Sequence, residues 1–370
     1  MTLSALDRDR LQEALALAHS AIGISEPNPR VGCIIGSRSG VTFGRGATQV
    51  YGGAHAEVMA LRAAGEAGHD VHGATAWVTL EPCAHHGNTP PCCDALIAAG
   101  PARVVVAISD PFPQVNGSGV ARMRAAGIDV VMADADQAEL ARELNIGFFS
   151  RIQRGRPWVR MKIAASLDGR TALDNGASQW ITGPDARADG HAWRKRAGAI
   201  LTGIGTVLDD DPRLDVRLVD TTVQPLRVLI DSRLEVPLDA RLLEPPGKAL
   251  IFFARAESSR VTALQDRGVE LDLVPGSEGK VDLGAMLSKL ADRKVNELHV
   301  EAGHRLNASL LREGLVDELL VYLAPSLIGP GRDMATLAPL QDLAGALPLT
   351  FTEACRVGAD LRIRALVSRR

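Results

Sequence analysis

Short β-rich runs alternating with Ala-rich stretches constrain this chain more than any other feature. Runs at residues 31–35, 76–80, 103–108 and 128–132 are separated by stretches around 55–64, 92–99 and 120–126. Such alternation predicts an α/β layer structure, in which helices cover the faces of a sheet. Ahead of it, Leu11, Leu15, Ala18 and Ile22 keep helical spacing and Gly23 stands where a C-cap would end the helix. The pattern fades near Asn145, and residues 147–157 mix basic and aromatic side chains with Gly155 and Pro157 as breakers. The boundary is therefore expected there, giving domains of residues 1–150 and 151–370. A second α/β series follows, with strands at 158–164, 199–202, 227–231, 249–253, 297–301 and 319–323 and a helix at 185–196. No fixed-period repeat relates the two series, so they read as different domains, each able to own a site.

Composition narrows the partners. The 41 basic and 44 acidic side chains leave a net charge of −3, which offers a polyanion no global attraction. With 4 Trp, 2 Tyr and 7 Phe there is no extended base-stacking platform, so nucleic acid is not expected. No run approaches the ~18–20 apolar residues of a membrane span, and residues 1–10 lack the apolar core of a secretory signal. A cytoplasmic protein without a membrane partner is expected. In that reducing compartment its 5 cysteines read as metal ligands, nucleophiles or small buried hydrophobes rather than disulfides.

Their placement points to a metal. His55-Ala56-Glu57 opens a helical stretch behind Gly52-Gly53, Pro82-Cys83 follows a strand, and Cys92 begins the next helix behind Pro90-Pro91. One imidazole and two thiolates at helix starts suit zinc, because helix N-termini carry partial positive charge that favours thiolates. Residues two apart face one point only in a helix's first turn, where the glycines put His55 and Glu57. Three ligands leave tetrahedral zinc a place for water, whose pKa then falls to about 7. A non-ligand Glu57 can take the water proton and pass it to a leaving ammonia, the chemistry of zinc nucleobase deaminases. Cys93 competes with Cys92 as second thiolate, and His85 or His86 would supply the fourth ligand of a purely structural zinc. Cys33 and Cys355 read as structural.

Three segments, Asn28-Pro29-Arg30-Val31-Gly32, His55-Ala56-Glu57-Val58 and the stretch 79–92 beginning Thr79-Leu80-Glu81-Pro82-Cys83, resemble the deaminase half of the bifunctional deaminase/reductase family of riboflavin biosynthesis. The resemblance implies a cytidine-deaminase-like three-layer α/β/α domain in which His55, Cys83 and Cys92 bind zinc, Glu57 transfers protons and Asn28 lies where the pyrimidine docks. Gln49 and Asn88 depart from the His and the basic residue expected at their places.

The second half carries no G-x-G-x-x-G fingerprint. Glu301-Ala302-Gly303, closing a strand before a helix, is a better phosphate cradle, since such a turn presents free backbone N–H groups. Residues 162–170, 178–183 and 203–214 resemble the reductase half of the same family, which implies a dihydrofolate-reductase-like α/β domain using NADPH. Implied cofactor contacts are Ala164, Trp180, Thr206, Asp210, Ser232 and the turn Gly303, His304, Arg305, Leu306, Asn307, Ala308 and Ser309. Implied substrate contacts are Ser178, Arg194, Leu214, Arg217 and Glu301, the two arginines being suited to gripping a 5′-phosphate. Asp210 is a candidate acid and Arg233 a candidate partner for the cofactor's 2′-phosphate, while Ala302 replaces a frequent Gly. The expected whole is a homo-oligomeric enzyme that deaminates a pyrimidine ribotide phosphate with zinc and then reduces its ribosyl chain with NADPH. Alternatives are a deaminase whose second domain is not catalytic, a zinc-stabilised binding protein, and a deaminase of flipped RNA bases.

Overall fold

The computed structural model describes residues 3–86, 90–112 and 116–368. The chain divides into two compact units, Met1–Gly155 and Arg156–Arg370.

The first unit runs α1 (Ala5–His19), β1 (Gly32–Gly36), β2 (Thr42–Ala47), α2 (Ala56–Glu66), β3 (Thr75–Val78), α3 (Cys92–Ala99), β4 (Arg103–Val106), α4 (Ser118–Ala125), β5 (Asp129–Met132), α5 (Ala135–Leu144) and α6 (Ile146–Arg154). Its sheet has the order β2-β1-β3-β4-β5, with β1 antiparallel to β2 and β3 and the rest parallel. Helix α1 packs on α5 and α2 on α3, so the sheet lies between two helical layers. Alternation along β1 decides which residues face which layer. Gly32 stands against α1, where a Cβ would lie 1.9 Å from the Ala14 carbonyl oxygen. Gly44 and Gly46 of β2 stand against α2, where a Cβ would lie 2.1 and 2.2 Å from the Ala60 and Ala56 carbonyl oxygens. Because Cys33 pairs directly with Gly46, it shares the α2 face, and its buried thiol belongs to the core.

Helix α1 begins earlier than its apolar spacing shows, at a capping box between Ser4 and Asp7. Asp7 also accepts from the Trp77 indole (2.8 Å) and from Arg103 (2.7 and 3.1 Å), tying the helix to β3 and β4. Residues 147–157, read as a boundary segment with Gly155 and Pro157 as breakers, are mostly helix: Phe148 and Phe149 of α6 are buried, and Gly155 ends it at φ 66°. An amphipathic helix with aromatics on its inner face has the same composition as a linker.

The second unit runs β6 (Trp158–Ser166), β7 (Arg170–Leu173), α7 (Pro184–Arg196), β8 (Ala199–Gly203), α8 (Ile204–Asp210), β9 (Leu226–Ile230), β10 (Ala249–Phe253), α9 (Ser258–Gln265), β11 (Glu270–Leu273), α10 (Leu283–Asp292), β12 (Glu297–Val300), α11 (His304–Arg312), β13 (Glu318–Ala324), β14 (Gly331–Asp333), β15 (Leu349–Val357) and β16 (Asp360–Val367). A nine-stranded sheet has the order β11-β10-β9-β8-β12-β6-β13-β16-β15, parallel except for the terminal hairpin, and β7 pairs with β14 apart from it. Val228 and Ile230 join one buried cluster with Leu250 and Phe252, whereas Leu229 joins another with Ile251 and Phe253. Both faces are therefore covered there, which is why these strands read as unbroken apolar runs. On β6, β12 and β13 the pattern is broken by Arg160, fully buried between Glu297 (2.7 Å) and Glu318 (2.9 Å) under the Trp193 ring.

Candidate functional site

In the first unit two helix starts meet. His55 is the N-cap of α2 in extended conformation, which leaves Glu57 in the first turn. Cys92 is the first residue of α3 behind Pro91. The loop after β3 brings Cys83 beside them: His55 Nδ1 lies 2.8 Å from Cys92 Sγ and 3.7 Å from Cys83 Sγ, and the two sulfurs are 3.4 Å apart. A zinc tetrahedron with bonds of about 2.0–2.3 Å has edges of roughly 3.5–3.8 Å, so this triangle fits that ion after a small outward adjustment at Cys92. Among the described residues it is the one such group of His, Cys, Asp and Glu. Hydrogen bonding from the Cys92 thiol, with help from His55, pushes the Cys83 thiol down to about 4, and donating that bond pushes Cys92 up. Burial raises Glu57 to about 7 against the pull of His55. The residue is 3% exposed, and its carboxyl bonds with Cys92 without belonging to the ligand triangle.

The competing ligands fall outside this group. Cys93 is buried in the core, its thiol 3.7 Å from Asp94 Oδ1. The His85 ring lies tilted against Phe112, with centroids 5.8 Å apart. Asn28 lies in the turn before β1, Gln49 donates to the Ala47 carbonyl, and Asn88 is outside the described residues.

In the second unit a cleft of about 1510 Å³ opens along the ends of β6, β8, β9 and β12. Every cofactor and substrate residue inferred from the resemblance lines it except Ala308, which is buried inside α11. Glu301, just past β12, takes a bidentate grip from Arg194 of α7 (Nε 2.5 Å, Nη2 2.9 Å). Burial opposes its charge, but Arg194 and Lys162 hold the carboxyl well below the usual range. Asp210 accepts from Ser178 at 2.9 Å. Gly303 caps α11 at φ −75°, and neither it nor Ala302 needs a glycine conformation. The alanine at position 302 therefore meets no backbone restriction at this turn. Arg233 is largely exposed and paired with Glu235 at 2.9 Å.

These two sites match known proteins half by half. Residues 5–108 match the cytidine and deoxycytidylate deaminase zinc-binding region, and residues 157–363 match the RibD C-terminal domain. The riboflavin biosynthesis protein RibD of Escherichia coli K12 is 45% identical, with 96% of this chain and 98% of that one covered. The chain belongs to the RibD family. Its members are bifunctional deaminase/reductases of riboflavin biosynthesis, with zinc in the deaminase half and NADPH in the reductase half. Among solved structures, RibD of Acinetobacter baumannii superposes with a TM-score of 0.89 at 39% identity, covering 98% of this chain and 99% of that one. A diaminohydroxyphosphoribosylaminopyrimidine deaminase/5-amino-6-(5-phosphoribosylamino)uracil reductase of Thermotoga maritima gives 0.86 at 29% identity, with the same coverages. The expected fold class, a cytidine-deaminase-like domain followed by a reductase domain, is the RibD arrangement.

Sequence reasoning missed two ionisable side chains at these sites. Lys162 lines the cleft 4.0 Å from Glu301, its ammonium destabilised by burial and partly restored by Glu301. A lysine between Met161 and Ile163 in an otherwise largely apolar strand was the available signal. Asp110, in the loop after β4, is 7% exposed and raised by burial to about 6. That loop is pinned by Glu81, which accepts from the N–H groups of Asp110, Gly117 and Val120 at 3.0–3.3 Å. Neither carboxylate stands out in sequence, because each gains its meaning from backbone brought to it by the fold.

No helix among the described residues is long and apolar enough to cross a membrane.

Proposed function

We propose that the unit Met1–Gly155 deaminates 2,5-diamino-6-ribosylamino-4(3H)-pyrimidinone 5′-phosphate and that the unit Arg156–Arg370 reduces the ribosyl side chain of the product to ribityl. The observation that carries the reading is the buried Glu57 carboxyl beside a His55, Cys83 and Cys92 triangle of zinc dimensions. Zinc held there supplies Lewis acidity that lowers the pKa of water. Glu57, raised by burial, can accept a proton near neutral pH and return it to the departing amine. Asp110 offers a second buried carboxyl for the exocyclic groups of the ring.

In the reductase cleft NADPH supplies the hydride. Thr206, Asp210 and the α11 N-terminus would hold the cofactor, since that terminus presents unsatisfied N–H groups to a pyrophosphate. Arg194 and Arg217 would take the substrate's 5′-phosphate and Glu301 its hydroxyl or ring N–H groups. Positioning of this kind supplies several kcal/mol towards the barrier. A homo-oligomer is also proposed, supported by apolar side chains left open on the terminal hairpin, among them Phe351 at 71% exposure. A cytoplasmic location accords with five free cysteines.

One experiment tests both halves: ammonia release, NADPH consumption and zinc content measured on the same purified protein. Glu57→Gln should keep zinc and NADPH consumption on the deaminated ribotide while losing deamination by about 10²-fold or more. Undiminished ammonia release from that variant would contradict the role of Glu57, and no NADPH consumption by the wild type would remove the reductase.

A further inference from the structure

The segment that carries Arg217 has no strand to hold it. Between α8 and β9 the chain crosses residues 211–225 without sheet pairing, and Leu214 sits at φ 51° in the left-handed region. Three side chains instead pin three successive residues. The Asp215 carbonyl accepts from Arg194 Nη1 at 2.8 Å, Val216 exchanges two bonds of 2.8 Å with the Gln224 amide, and the Arg217 N–H donates to His191 Nδ1 at 3.1 Å.

That last bond fixes the state of a buried imidazole. His191, on α7 and 5% exposed, accepts through Nδ1, so its single proton sits on Nε2. Nε2 lies 3.4 Å from Arg194 Nη1, and two N–H groups cannot bond each other, so this contact is packing and not a hydrogen bond. The groups facing the ring are Arg194 on its own helix, Arg217 and Asp215 on the pinned segment, and Glu301 past β12. Burial, then Arg194 and Arg217, press its basicity down to about 4, which keeps it neutral and able to accept.

Neutrality also preserves the acceptor. Lys162, Arg194, Arg213 and Arg217 cluster there with Asp215 and Glu301, and a phosphate monoester, at about −1.5 to −2 near neutral pH, suits so cation-rich a cluster. A charged His191 would turn a donor towards the Arg217 N–H.

Resting on the proposed assignment of Arg194 and Arg217 to the substrate phosphate, we propose that His191 is a positioning residue that sets the phosphate grip of the reductase site through the backbone of Arg217. His191 does not line the cleft itself. Its loss therefore weakens binding and leaves the chemical step alone.

The test uses the full-length holoenzyme. In His191→Leu, KM for the deaminated ribotide should rise about tenfold, one hydrogen bond's effect, with kcat within about twofold. The affinity for ribose 5-phosphate by calorimetry should fall by the same factor while NADPH affinity holds. His191→Asn places its Oδ1 where Nδ1 stood and should restore ribose 5-phosphate binding to within about threefold of wild type. Nitrogen NMR of the wild type at pH 7 supplies a measurement independent of any variant's folding: His191 should show a protonated Nε2 and a bare Nδ1. Unchanged ribose 5-phosphate binding in the Leu variant, a fall in kcat at constant KM, or a protonated Nδ1 would each overturn the proposal. Arg217→Ala separates it from the reading beneath: if that variant also binds ribose 5-phosphate normally, the phosphate assignment fails. If only Arg217→Ala weakens binding, the role of His191 alone fails.

Discussion

Cys92 and Cys93 are adjacent, both buried, and chemically identical, so only their direction distinguishes them. At the first turn of α3 neighbouring side chains diverge by about 100°, and the structure sends Cys92 to His55 at 2.8 Å and Cys93 into the core. Cys92→Ser should therefore lose bound zinc by metal analysis, since a hydroxyl is a poor substitute for a thiolate ligand. Cys93→Ser should retain stoichiometric zinc and lose stability instead, about 1–3 kcal/mol by denaturant titration, from a hydroxyl buried among apolar neighbours. The reverse result would exchange the ligands. Pro90-Pro91 had already placed the helix start, and with it this choice, in the sequence. What lay beyond reach was Glu57's environment: a raised carboxyl needs full burial, and burial is a property of the packed unit.

At the scale of elements, the metal site depends on how closely β2 lies against α2. A Cβ on Gly46 would meet the Ala56 carbonyl oxygen at 2.2 Å and the Ala60 nitrogen at 2.5 Å, backbone atoms that cannot turn aside. Gly46→Ala must push α2 outwards, with a cost of about 1–3 kcal/mol or more. Because α2 starts with His55 and Glu57, both zinc content and deamination should fall along with the melting temperature. Normal zinc content in a destabilised variant would show that the ligand turn moves independently of the helix. Strand β2 itself was not legible: in Thr42-Phe43-Gly44-Arg45-Gly46-Ala47 the glycines weaken the strand pattern. The terminal hairpin was missed for a different reason, since β15 and β16 expose many side chains and carry charges where a core strand would be apolar. The inner parallel strands were legible because burial on both faces writes itself as Val, Ile and Leu, whereas the half-exposed edge strand β11, Glu270-Leu271-Asp272-Leu273, was not. Arg160 and Glu318 interrupt that rule between β6 and β13. Burial opposes the Glu318 charge, but Arg160 and Arg364 overcome it and lower the carboxyl from 4.5 to about 2. Such a group stabilises the fold above pH 4.5 and loses that contribution as pH falls towards 2. Glu318→Gln should therefore unfold more easily than wild type at pH 7, by about 3–5 kcal/mol for a broken buried pair, with the gap closing as the pH is lowered. A gap that stays constant between pH 7 and pH 3 would deny the carboxylate this role.

Across the whole molecule, each unit closes its own core and builds its own site from its own residues. The metal triangle uses His55, Cys83 and Cys92 alone, while the cleft is lined from Lys162 to Arg332. Two kinds of chemistry, one metal-dependent and one not, then share a chain without sharing a group. Ligand binding stabilises only the fold that contains the site, by RT ln(1 + [L]/Kd), so a chelator should act on one half. Calorimetry of the zinc-loaded protein should show two transitions, since two cores on one chain need not melt as one. Chelation should lower one transition and leave the other in place, and NADPH should raise the one that chelation spares. Ammonia release should fall in proportion to zinc lost, while NADPH consumption on the deaminated ribotide stays within about twofold, because no group of the reductase cleft depends on the ion. A parallel fall of both activities on chelation would mean that the metal holds the second site together as well, and the division of labour between the units would have to be abandoned.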